Sequence, residues 1–289
     1  MKVKVYTVHS FAKTSEGGNE AGVVIDADFL SEEEMQKIAE KVGFSETAFV
    51  LHSDLADYKV RFFTPKEEVD LCGHATIGTF FTMATLGYIK PGNYTQETKA
   101  GILGIEIKKD LTIMMNQPLP DFFETLDKSE IADSLNIEID NIHEDLPVQI
   151  VSTGLKDIMV PVKNLDVLSS IKPDFNKVIE ISKKYHAVGY HVFSLETRNT
   201  STACCRNFAP LLAIPEESAT GTSNGALGCY LYQYGLIAFN QTLPMIIEQG
   251  YAMNKPSEIL VSLAIEEKQI TGVKVGGSAL NLSSFEISL

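Results

Sequence analysis

The feature that most constrains this chain is that it repeats itself. Val42-Gly43-Phe44 returns as Val188-Gly189-Tyr190, 146 residues later, and Arg61-Phe62-Phe63-Thr64-Pro65 returns as Arg206-Asn207-Phe208-Ala209-Pro210, 145 later. Gly73 and Gly87 match Gly221 and Gly235, both at 148. Glycine and proline punctuate loops everywhere, so one match says little; four in order at an almost fixed offset mark an internal duplication. Each half has the same order of elements. Ser31-Glu32-Glu33-Glu34 reads as a capping box, and Met35, Ile38, Ala39 and Val42 follow at helical spacing until Gly43. The second half repeats this more loosely from Pro173 to Gly189. A strand follows in each half, Phe44 to Leu51 and Tyr190 to Leu195, then a second strand ending in the Arg-x-Phe-x-Pro element. Last comes a helix beginning at His74 and again at Thr222, apolar on every side and therefore buried. The expectation is α+β: two pseudo-symmetric domains, 1–118 with a closing segment of about 278–289, and 119–277. Each wraps strands around a buried helix, with a cleft between the two. If both helix starts face that cleft, their unpaired amides make an anion site.

A length of 289 residues, 44% of them hydrophobic, gives each half enough material for a core. The formal charge of −14 repels nucleic acid and anionic membrane surfaces, so neither is an expected partner. An anionic substrate would have to be held by local devices such as helix N-termini. The cysteines, Cys72, Cys204, Cys205 and Cys229, have no CxxC spacing and two are adjacent, which suits neither a disulfide framework nor a zinc cage and fits a reducing cytosol. No apolar run approaches the roughly 20 residues of a membrane span, and Met1 to Tyr6 alternates like a strand, not a signal peptide. The expected location is cytoplasmic.

Three segments of the first half carry a likeness: Gly18-Asn19-Glu20-Ala21-Gly22-Val23, Ser45-Glu46-Thr47-Ala48-Phe49-Val50, and Phe63-Thr64-Pro65 running to Asp70-Leu71-Cys72-Gly73-His74-Ala75-Thr76. Phe208-Ala209-Pro210, Glu216 to Thr222, Gln249-Gly250, Met253 to Ser257 and Val275-Gly276-Gly277 continue it. Together they resemble PhzF-like proteins over essentially the whole chain. The resemblance implies the diaminopimelate epimerase fold, a homodimer, and an isomerase working without metal or organic cofactor, as in dihydro-hydroxyanthranilate isomerisation. It places the catalytic glutamate on Glu46 and a catalytic histidine on His74. The chain departs from the family pattern at Glu217-Ser218, where Asp-Pro is usual, at Thr222, where Ser is usual, and at Glu20, which replaces a proline.

On a strand from Phe44, Glu46 shares a face with Phe44, Ala48 and Val50, and desolvation there is expected to raise its pKa toward neutrality. His74, beside helix-start amides, is expected to stay neutral. Glu217 is a candidate second acid/base group. Thr222 offers a hydroxyl and an amide to a substrate carboxylate, and Asn19, Gly73 and Gly221 complete the expected binding set. At offset 146 the counterpart of Glu46 is Val192, so the repeat supplies no second glutamate. Diaminopimelate epimerases use one cysteine per half; here Cys72 stands at the first place but Thr220 at the second, and a threonine hydroxyl is too weak a base. The function expected is a cofactor-independent isomerase shifting a proton on a small unsaturated or hydroxylated carboxylic acid. The alternatives are a two-base epimerase using Glu46 with Glu217, and a metabolite-binding protein without turnover.

Overall fold

A computed structural model describes residues 1–237 and 243–289. The elements of the first half are β1 (Lys2–Ser10), β2 (Asn19–Val24), α1 (Glu32–Val42), β3 (Glu46–Leu51), β4 (Tyr58–Phe63), β5 (Glu68–Val69), α2 (Gly73–Thr85), β6 (Gly92–Thr98), β7 (Gly101–Ile107) and β8 (Ile113–Gln117). Those of the second are β9 (Asp121–Leu126), α3 (Lys128–Leu135), β10 (Val148–Ser152), β11 (Lys156–Val162), α4 (Leu165–Ser170), α5 (Phe175–Lys184), β12 (Gly189–Ser194), β13 (Ala203–Ala209), β14 (Ile214–Glu217), α6 (Gly221–Gln233), β15 (Met245–Gln249), β16 (Ser257–Glu266) and β17 (Gln269–Gly277), closed by β18 (Ala279–Ser288).

Local chemistry sets these boundaries. Ser31 caps α1 reciprocally with Glu34, and Gly43, at φ 72°, ends it. Both buried helices close alike: Gly87 (φ 81°) returns its amide to Ala84 and Tyr88 to Met83, while Gly235 (φ 69°) returns to Tyr232 and Leu236 to Leu231. A left-handed residue is what such a closure requires, and glycine adopts it without strain.

The chain divides into two units, Met1–Asn116 with Gly276–Leu289, and Gln117–Val275. In the first, β18 pairs antiparallel with β1, β1 with β2, β2 parallel with β3, β3 antiparallel with β4, and β4 both with β5 and, in parallel, with β6. The second unit repeats this scheme step for step: β9 with β10, β10 with β11, β11 parallel with β12, β12 antiparallel with β13, and β13 with β14 and, in parallel, with β15. Helix α2 is buried without a break from His74 to Phe80 and α6 from Ser223 to Leu231. At Gly78 the helix backbone comes so near β1 that a Cβ would sit 2.7 Å from Val8 Cγ1.

The duplication extends to side chains. Arg61 makes two parallel bonds to Glu68 and lies over the Phe63 ring; Arg206 does the same with Glu216 and Phe208. Planar guanidinium suits both contacts at once. Glu216, which opens the Glu216 to Thr222 motif, is therefore half of a repeated ion pair.

The sheet register corrects two expectations. Thr47 pairs with Phe63 and Tyr190 with Phe208, so with Phe63 matched to Phe208 the counterpart of Glu46 is Gly189, not Val192. Gly43 ends a helix while Gly189 opens a strand, so that landmark is not a structural match. A side chain at 189 is also closed off, because a Cβ there would run into the Phe208 carbonyl oxygen. The repeat thus supplies no second glutamate, for a steric reason the offset did not reveal. Strand β3 begins at Glu46, two residues later than expected.

Candidate active site

Three elements of the first unit bring the expected residues together. Glu46 opens β3, its carboxyl group kept from water by the elements around it, with 15% of the side chain exposed. Cys72 is the N-cap residue of α2 and His74 its second residue, buried like the rest of the helix. Asn19 opens β2. Glu46 Oε2 lies 3.2 Å from His74 Nε2, an ion-pair distance. Ser45 Oγ is 3.2 Å from the same nitrogen. The other ring nitrogen, Nδ1, faces Cys72 Sγ and Asn19 Nδ2, each at 3.3 Å. Ser10 Oγ donates to the His74 carbonyl at 2.6 Å and fixes the backbone beneath the ring.

This geometry reverses both expected pKa directions. Burial pushes Glu46 up, but the adjacent His74 charge outweighs it, and the carboxyl group is held below its ordinary range. Burial likewise favours a neutral His74, yet the hydrogen bond with Cys72 and the charge of the Glu46 carboxylate raise it well above its ordinary value. The α2 dipole, invoked to keep the ring neutral, loses to a full charge 3.2 Å away. Both directions favour an imidazolium paired with a carboxylate. Cys72 is pushed up to about 11, first by burial and then by the Glu46 charge, so it remains a thiol, as expected of a small buried residue. Glu46, Cys72 and His74 present donors within 4.8 Å of one another, a set able to hold a metal ion. Both ring nitrogens of His74 are already engaged by protein groups.

The remaining expected residues gather at the start of α6 in the second unit. Gly221 opens that helix, Thr222 follows it, and Thr153 Oγ1 donates to the Thr222 carbonyl. Thr220 caps α6 by position, and its hydroxyl donates to Glu217 Oε2 at 2.7 Å. Sequence reasoning missed several neighbouring groups: in the first unit Ser45 and the contact of Cys72 with His74, and in the second the buried Asp157, His191, Asn207, Asn224 and Gln249. The available signal was polar residues such as Asp157 and His191 inside strands that are otherwise apolar.

The chain matches the model of the phenazine biosynthesis-like protein family, PhzC-PhzF, over residues 8–284. That match decides the family. The chain belongs to the PhzF family. It is 35% identical to the uncharacterized isomerase YddE of Escherichia coli over 98% of this chain and 97% of the relative. It is 27% identical to the trans-2,3-dihydro-3-hydroxyanthranilate isomerase of Pseudomonas fluorescens over 98% of each. The crystal structure of a Bacillus anthracis PhzF-family protein superposes with a TM-score of 0.91 at 35% identity, covering all of both chains. Fold and family are those the motifs implied, and the chain is a PhzF-like isomerase in kind. Among the described residues no helix is long and apolar enough to cross a membrane.

Proposed function

We propose that this PhzF-family chain shifts a proton on a small unsaturated or hydroxylated carboxylic acid, with Glu46 taking and returning the proton. The observation that carries the reading is an ionised, largely buried carboxylate held against the charged ring of His74 at the start of a buried helix. A carboxylate in that state is unprotonated at neutral pH and ready to accept a proton, and a site kept from water limits exchange of that proton with solvent. We assign the α2 amides at Gly73 and His74, with Asn19, to the substrate carboxylate, and the α6 amides at Gly221 and Thr222 as a second helix start able to hold an anion. Glu217 is assigned an assisting part in turnover and neither takes nor returns the proton.

In the proposed step Glu46 removes a hydrogen from a carbon conjugated to the substrate carboxylate, and the C–H electron pair moves into the conjugated system. The new O–H of Glu46 then delivers the proton to another carbon of that system. Atoms and electrons balance without a redox partner. His74, charged beside Glu46, stabilises the carboxylate at the start and end of the cycle. The name of the Pseudomonas relative supports trans-2,3-dihydro-3-hydroxyanthranilate as the first acid to try, together with a panel of small unsaturated and hydroxy acids. Glu46→Gln keeps the shape of the site and removes the base, so conversion should fall by about 10²–10⁴-fold with binding retained. Conversion within about tenfold of the wild type removes Glu46 from the role.

A further inference from the structure

We propose that Gln249 is a positioning residue that clamps the Glu217–Thr220 turn at the start of α6 and, through that turn, sets the Glu217 carboxylate. All four hydrogen-bonding valences of its amide are used. Its Oε1 accepts from the Thr220 amide at 3.1 Å and from Asn224 Nδ2 at 2.8 Å. Its Nε2 donates to the Glu217 carbonyl at 2.8 Å and to Thr220 Oγ1 at 3.0 Å. Thr220 Oγ1 in turn donates to Glu217 Oε2. An amide so placed has one orientation, because its oxygen cannot face a carbonyl nor its nitrogen an N–H. Gln249 also supplies the cap partner that Thr220 does not: the Thr220 side chain makes no capping bond to α6, and one of the orphan amides at that end is satisfied from across the unit.

The clamp is anchored from behind. Asn224, which also donates to the Thr220 carbonyl at 2.8 Å, faces His191 Nε2 at 3.2 Å. His191 Nδ1 faces Asn207 Nδ2 at 3.1 Å, Asn207 donates to Ser223 Oγ, and Ser223 donates to Asp157 at 2.7 Å. This chain of six side chains lies fully inside the unit. The fold does not demand it. By the strand register and the helix starts, Asp157, His191, Asn207, Ser223 and Asn224 correspond to Ala21, Ala48, Phe62, Ala75 and Thr76, and Gln249 to Thr98. Four of these are apolar, and the two threonines bond backbone carbonyls in their own neighbourhood. The same scaffold therefore closes with an ordinary apolar bed, and a buried polar network costs more than such a bed unless every member is satisfied. Its output is the fixed geometry of one turn, the turn that carries Glu217. The role rests on the reading of Glu217 given above.

Two measurements on the full chain test it. Amide hydrogen exchange needs no substrate: Thr220 should be protected in the wild type and exchange at least about tenfold faster in Gln249→Met, with the amides of Leu227 to Leu231 unchanged. Thr220→Val, at a partly exposed position, is the second variant should Gln249→Met fail to fold, and should loosen the Glu217 to Thr222 segment in the same way. Equal exchange in wild type and variants overturns the clamp. A double-mutant cycle on the turnover of trans-2,3-dihydro-3-hydroxyanthranilate then tests the action through Glu217. Gln249→Glu should lower kcat about tenfold in the wild type and less than twofold in Glu217→Gln. Full effects in both backgrounds overturn the positioning role while leaving Glu46 as base. Turnover surviving in Glu46→Gln instead sinks the base reading and leaves the cycle interpretable.

Discussion

The starts of α2 and α6 occupy the same place in two copies of one scaffold, yet they are furnished in opposite ways. Around α2 the buried bed is apolar, built from Ala21, Ala48, Phe62 and Ala75, and it supports a pair of full charges, Glu46 and His74. Around α6 the bed is a chain of amides, one imidazole and one buried carboxyl group; burial pushes His191 down to about 4 and so keeps that ring neutral. An apolar bed leaves an ion pair unscreened and strong. A buried amide network fixes backbone instead. The two copies of the scaffold thus carry different side chains at equivalent places, an ion pair in one and an amide network in the other, which is why the offset between repeats finds the elements but not these groups.

The sharpest contrast lies beneath the two helix starts, at Ala21 and Asp157. Asp157 is pushed up to about 7, mainly by burial and further by the Glu217 charge, against the opposing bond from Ser223. A carboxyl group raised in the folded state stabilises the fold below its unfolded value near 3.8 and loses that contribution as pH climbs through about 7. The loss amounts to about 4 kcal/mol at most, from roughly three units at 1.36 kcal/mol each. Denaturant unfolding at pH 4.5, 6 and 7.5 should therefore show Asp157→Asn gaining on the wild type as pH rises. A constant difference would mean that the second unit has no buried ionisable bed and that the contrast is only one of side-chain size.

A smaller effect probes the first unit. Glu46 is held low by His74 against the upward push of burial, so kcat/KM should hold from below pH 4.5, where the base protonates, to above pH 6.5, where His74 loses its charge. In His74→Gln the burial of Glu46 is opposed only by the bonds from Ser45 and Cys72. The acid limb should then rise above 4.5 and the alkaline limb should vanish. An acid limb that stays in place would show that the ion pair does not set the state of the base.

Much of this was legible in the residues. The capping box at Ser31, the Arg-x-Phe-x-Pro strands and the two glycine-closed helices each rest on local rules, and three of the four repeat landmarks are structural equivalents. The fourth failed because Gly43 and Gly189 do different work, a C-cap and a strand start, so the offset slips from 146 to 143 between Gly43 and Thr47. The pKa directions failed for a related reason. Burial of Glu46 could be read from its strand, but the approach of His74, 28 residues away along the chain, depends on how α2 packs over β3. The α6 network was invisible because its members lie on five different elements and no spacing links them.

The central claim, that one carboxylate in the first unit both lifts and returns the proton, is tested most directly by a single turnover in deuterium oxide. With protiated trans-2,3-dihydro-3-hydroxyanthranilate, return from Glu46 should leave measurable substrate-derived hydrogen at the new position of the product, since a water-excluding site slows exchange. The same retention should persist in Glu217→Gln. Complete deuterium labelling in the wild type, with deuterium incorporation lost in Glu217→Gln while binding is intact, would make Glu217 a second base and contradict the one-carboxylate account.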